Sequence, residues 1–216
     1  MILFERLISY KSKNMLKTIK IIFNTTIIVL ALIGFNAIGG QKYIEMIKDG
    51  IVNFVAQHNE DAAKKFGDFS QLNEEFEIDK TVSIASYKAI IAEHKASGQK
   101  MIILDTGKKI ILTQDDIQSP NLDDKLKDAV DKVKYHGIRI KDIRIVDRGT
   151  MSAYGKTVPY AKFEAELTHS PIPDISGTVS VLTTSDGSEK LMLSLSEKKK
   201  YSQLITSEFF KGVNEG

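Results

Sequence analysis

Lysine outnumbers arginine 26 to 4 in this chain, yet three of the four arginines, Arg139, Arg144 and Arg148, fall within ten residues. A guanidinium group is a planar fork of donors that grips a carboxylate or a phosphate through two parallel hydrogen bonds, so a cluster of them suits recognition of an anion. Around them Ile138 and Ile140 face inward by even parity and Ile143 and Ile145 by odd parity, which requires a bulge near Lys141 and Asp142. After that correction Arg139 and Arg144 share the solvent face of a strand, and Arg148 falls in the turn before Gly149. These three residues are the candidate ligand-binding set, for an anionic ligand or for the carboxylate of a protein partner. The competing reading is an exposed strand face neutralised by Asp142 and Asp147, which would bind nothing.

The remaining chemically able residues do not assemble into a set. Gly149 to Thr157 (Gly-Thr-Met-Ser-Ala-Tyr-Gly-Lys-Thr) has the composition of a phosphate-cradling loop, but five residues separate its glycines where that loop has four. Val158, Pro159 and Tyr160 then open an alternating strand, not the helix whose N-terminus would receive the phosphate. The segment reads as a long hairpin connection with glycine turns. Of the histidines His58, His94, His136 and His169, none lies one helical turn from another or in a zinc-hydrolase spacing. His58 falls on the apolar face of a helix and His136 at a helix end, where a cation complements the dipole. Asp115 with Asp116, and Asp123 with Asp124, stand at helix starts, where exposed amides favour negative side chains. Glu74, Glu75, Glu77 and Asp79 lack calcium-loop spacing and read as a solvated connection. No catalytic residue, metal site or cofactor is expected.

Periodicity supplies the elements that would hold these residues. Ile44, Ile47, Ile51, Phe54, Val55, Ala62 and Phe66 recur at steps of three and four, one face of a helix from Lys42 to Phe66 closed by Gly67. Residues 68–81 read as an ordered connection. Val82 to His94, Lys100 to Asp105 and Lys109 to Thr113 read as an antiparallel meander. A second helix starts after Ser119, Pro120 and Asn121, buries Leu122, Leu126, Ala129, Val130 and Val133, and stops at Gly137. Strands follow over Ile138 to Val146, Val158 to Thr168, Thr178 to Thr184 and Leu191 to Ser196, with a loop holding Pro171 and Pro173 before the third. In the second of these Ala161, Phe163, Ala165 and Leu167 face in while Lys162, Glu164 and Glu166 face out. Lys198, Lys199 and Lys200 form a polar stop before a short helix, Ser202 to Val213. The expected core holds Ile51 and Phe54 on the helix side and Phe163, Leu167, Val179, Val181, Leu191, Leu193 and Leu195 on the sheet side. This order predicts an α+β fold in which helices cover one face of a curved antiparallel sheet. In element order alone it resembles the cystatin-like and NTF2-like class, which implies no particular activity.

Composition and charge give the address. Residues 21–41 carry no charge and centre on Ile27 to Phe35, and about 20 apolar residues span the roughly 30 Å hydrocarbon core of a bilayer. Residues 1–20 hold Arg6, Lys11, Lys13, Lys17 and Lys20 against Glu5, and basic residues on that side predict a cytoplasmic N-terminus and an exported body. The expected organisation is a basic leader (1–20), a transmembrane anchor or signal segment (21–40) and one extracytoplasmic domain (41–216). The same segment also reads as a cleaved signal peptide with small residues at Ala37 and Gly39, and Met15 offers an alternative start. With a formal charge of +2 on the whole chain and +4 on the leader, the body is slightly acidic, which speaks against nucleic acid as a partner. The absence of cysteine excludes disulfides, thiolate nucleophiles and thiolate-ligated zinc. The expected function is a membrane-anchored binding or assembly module of the cell envelope that meets a protein or an anionic envelope component. The alternatives are a secreted carrier of a small ligand and a hydrolase built from Asp, Glu and His58 or His94.

Overall fold

A computed structural model describes residues 63–84, 87–107, 112–131, 139–168 and 174–216. The expected anchor at 21–40, nearly all of the helix from Lys42 with His58, Ile51 and Phe54, the residues His136 and His169, and the loop with Pro171 and Pro173 lie outside them. Seven strands form one open antiparallel sheet: β1 (Phe76–Ile84), β2 (Tyr87–His94), β3 (Lys100–Gly107), β4 (Arg139–Ala153), β5 (Lys156–Thr168), β6 (Asp174–Thr183) and β7 (Glu189–Glu197). Among the described residues three short α-helices accompany them: α1 (Gln114–Gln118), α2 (Leu122–Asp131) and α3 (Gln203–Lys211). The spatial order β1-β2-β3-β7-β6-β5-β4 joins two meanders through the β3–β7 pair and leaves β1 and β4 at the edges.

The central strands bury side chains on both faces. In β3 Ile102 and Leu104 join an apolar cluster with Ile117 of α1, Leu122 and Leu126 of α2, Phe163, Leu167, Val179, Val181, Leu191, Leu193 and Leu195. Met101 and Ile103, alternating with them, join a second cluster with Phe66, Phe76, Phe209, Phe210 and Val213. Successive strand residues point to opposite faces, so the two clusters lie on opposite sides of the sheet. The expectation of helices on one face is therefore corrected: α1 and α2 pack on one side and α3 on the other. The inward residues assigned to β5, β6 and β7 are all buried in the first cluster.

Three boundaries also move. The acidic stretch expected to be a connection holds the first part of β1, whose Phe76 and Ile78 pack on the α3 side while Glu77 stays exposed. The single strand expected over Val82 to His94 is two, reversing so that Ile84 pairs with Tyr87. Leu112 and Thr113 are not in a strand, and residues 108–111 lie outside those described. Instead Thr113 caps α1: its hydroxyl accepts the Asp116 amide, and the Asp116 carboxylate accepts the Thr113 amide. Asp115 and Asp116, and Asp123 and Asp124, do stand in the first turns of helices.

Gly149 to Thr157 is tighter than a long loop. β4 runs through to Ala153, which pairs directly with Lys156, so the reversal needs only Tyr154 and Gly155, both at positive φ (53° and 70°). A tyrosine rarely adopts that conformation, and here several contacts fix it. Its amide donates to the Val213 carbonyl at 2.9 Å, and its buried hydroxyl donates to the Phe66 carbonyl at 2.5 Å. Burial, followed by the charges of Asp105 and Glu215, pushes the phenol well above its ordinary pKa, so it stays a donor.

Candidate functional site

The outward side of β5 is the sheet surface where charges meet. Strict alternation puts Lys162, Glu164 and Glu166 there, opposite the inward Ala161, Phe163, Ala165 and Leu167. β4 lies alongside in a register that pairs Arg144 with Glu164 and Asp142 with Glu166. The first is a cross-strand pair of opposite charge, while Asp142 and Glu166 are both acidic and Glu166 takes its cation from Lys141 in the bulge. Arg144 Nη2 donates to Glu164 Oε2 at 2.9 Å, and Lys198 Nζ reaches the same oxygen at 2.8 Å from the turn after β7. Lys141 Nζ donates to Glu166 Oε1 at 2.7 Å, and Lys162 Nζ stands 5.3 Å above the centre of the Tyr201 ring.

The electrostatics are those of one anion shared by two cations. Hydrogen bonds from Lys198 and then Arg144 hold the Glu164 carboxyl below its usual range. The hydrogen bond that Arg144 donates to Glu164 raises the Arg144 pKa, and the one Lys141 donates to Glu166 does the same for Lys141. The Glu164 side chain is only 19% exposed, whereas that of Arg144 is 61% exposed. The carboxylate is thus the fixed element, and the guanidinium keeps donors in solvent.

The three arginines are not gathered into one site. The expected bulge is present between Ile140 and Asp142, but a second follows between Ile145 and Asp147. Each extra residue inverts the alternation, so Arg148 pairs with Ala161 and turns to the α1–α2 side of the sheet, within the strand and not in a turn. There its guanidinium donates to the Ser119 carbonyl at 3.0 Å and stands 3.7 Å from Asp123. Arg139 opens β4 opposite Thr168. Asp147, expected to neutralise the arginines, lies instead 3.4 Å from the Tyr160 hydroxyl.

Other polar residues lie away from the arginines, and of these Gln99, Lys100 and Lys190 were not singled out by spacing. His94 is buried; its Nδ1 accepts the Ser97 amide (3.3 Å) and lies 2.9 Å from the Ser97 hydroxyl, and its Nε2 is 3.8 Å from Glu75. Gln99, fully buried, ties α3 to the sheet: its Nε2 lies 2.9 Å from Ser194 Oγ and 2.8 Å from Thr206 Oγ1, and its Oε1 accepts the Ser202 amide at 2.8 Å. Lys100 and Lys190 are buried lysines, Lys190 paired with Asp105 at 3.0 Å. In sequence each stands in alternation with apolar residues on a strand buried on both faces, the signal that could have marked them. Among the described residues no group of three or more His, Asp or Glu side chains is placed to hold a metal ion. Among those residues, too, no helix is long and apolar enough to cross a membrane.

No family model and no curated protein matches the chain. Solved structures do match, among them protein CV1439 from Chromobacterium violaceum, which aligns over 66% of this chain and 71% of its own length. Its identity is 10% and its TM-score 0.18, too low to carry an argument about fold or function.

Proposed function

We propose that this protein is a membrane-anchored, extracytoplasmic binding module of the cell envelope, with residues 21–40 as its anchor and the outward face of β4 and β5 as its contact surface. The body is read as an α+β domain whose element order is that of the cystatin-like and NTF2-like class. The anchor rests on the charge-free run 21–41 preceded by basic residues. The contact surface rests on a single observation: Glu164 is held by both Arg144 and Lys198, and Arg144 is the more exposed partner. Arg144 can therefore turn its fork to a carboxylate or other anion on a partner while Lys198 still neutralises Glu164. A lysine could not replace it, because the bidentate geometry would be lost with the charge kept.

Arg139, at the start of the same strand, is the second residue of this proposed surface, and Arg148, bonded on the opposite face, contributes to folding instead. The test is capture of extracted envelope proteins and polymers at two salt concentrations, comparing wild type with Arg139→Lys/Arg144→Lys. Loss of a captured component by the double variant, with an unchanged denaturation midpoint, supports the surface. Equal capture of every component by both proteins refutes it.

A further inference from the structure

We propose that Lys100 and Asp79 form an intramolecular isopeptide bond, with Glu93 as the group that moves the proton. Three adjacent strands bring these residues together. Asp79 comes from β1, Glu93 from β2 and Lys100 from β3, and all three lie at the same end of the sheet. Lys100 pairs with Glu93 across β2–β3, and its ammonium group contacts the Glu93 carboxylate. The same Nζ is 3.7 Å from Asp79 Oδ2. Asp79 is the extra residue of the bulge between Ile78 and Lys80, a device that re-aims one side chain out of the regular alternation. Only 10% of the Lys100 side chain is exposed, and its neighbour across β3–β7 is the buried Leu195.

These are the requirements of amide formation between side chains: an amine and a carboxyl held near contact, an acid–base group touching the amine, and the amine itself largely shielded from water, with Asp79 and Glu93 half-buried beside it. Glu93 takes one proton from the Lys100 ammonium. The freed amine attacks Cγ of Asp79, forming the Nζ–Cγ bond. Glu93 returns its proton to the departing oxygen, which also takes the second amine proton. The Cγ–O bond breaks and one water leaves. Ammonium and carboxylate thus become an amide and water, with no oxidant or further reactant. The link would join the edge strand β1 to β3 in a chain that has no cysteine for a disulfide.

The test is mass spectrometry of the purified full-length protein and its tryptic digest. The wild type is expected to be lighter than its sequence mass by one water and to yield a branched peptide joining the segments that hold Asp79 and Lys100. Asp79→Ala and Glu93→Gln are expected to show the full mass and no branched peptide. Asp79→Asn, which would expel ammonia in place of water, is expected to give the same branched product as the wild type. A folded wild-type protein that yields only linear peptides containing Asp79 and Lys100, at its full sequence mass, overturns the proposal.

Discussion

Replacing Phe163 with alanine probes the packing beneath the charged surface. Phe163 is 2% exposed, and its cross-strand partner on β6 is Gly177. The ring fills the space a side chain at Gly177 would need: a methyl group there would stand 2.6 Å from Phe163 Cζ, 2.6 Å from Leu195 Cδ2 and 2.5 Å from the Ser194 carbonyl. The floor of the resulting cavity would be β6 backbone, bonded to strands on both sides, so it cannot collapse inward. Phe163→Ala should therefore cost about 3–5 kcal/mol. In a domain stable by about 5–15 kcal/mol that is a large share. At about 2–4 °C per kcal/mol for a chain of this size, the melting temperature should fall by about 6–20 °C. Gly177→Ala alone should also destabilise, because the methyl meets both the ring and the carbonyl. In the double variant the methyl enters the space the ring has left, so the two costs should fall short of additive by about 0.5–3 kcal/mol, while the carbonyl contact prevents full rescue. Chemical denaturation of the four proteins measures each quantity. An unchanged midpoint for Phe163→Ala, or strict additivity in the double variant, would refute this packing.

Three further outcomes follow from particular contacts. Thr113→Ala removes the hydroxyl half of the capping box on α1, leaving the backbone amide of residue 113 to the Asp116 carboxylate, and should lower stability by about 1 kcal/mol in a urea titration. Gln99→Leu should cost about 1–3 kcal/mol for each buried group left without a partner, the Ser202 amide foremost, and amide exchange at Ser202 and Ile205 should quicken before global unfolding. Glu164 has a folded-state pKa depressed by Lys198 and Arg144, so its stabilisation is complete above the ordinary glutamate range and is lost as pH falls through the depressed value. The difference in melting temperature between wild type and Glu164→Gln should accordingly shrink on acidification, and a difference that grows would contradict the pairing.

Much of the sheet was legible because its inward residues keep strict alternation. The inward face of β5, the buried faces of β6 and β7 and the first bulge of β4 all follow from parity. β1 was hidden because its apolar residues alternate with Glu77 and Asp79, so an amphipathic edge strand carried the composition of a solvated loop. The second bulge was hidden for a different reason: Val146, at 42% exposure, gives no parity signal, and one unmarked residue was enough to move Arg148 to the other face. The trio of Asp79, Glu93 and Lys100 depends on long-range pairing and on a bulge, neither of which spacing within a segment reveals. The two-sided core was concealed by the brevity of the helices, since five residues in α1 and nine in α3 carry little periodicity.

The proposed role requires the body of the protein to stand outside the membrane that residues 21–40 cross. Protease added to intact cells that produce the full chain, followed by membrane fractionation and N-terminal sequencing of what remains, measures this directly. Full-length protein is expected in the membrane fraction before digestion, with loss of the region after Gly40 when protease is added from outside. Full-length protein recovered from the cytosolic fraction and untouched by external protease would contradict it.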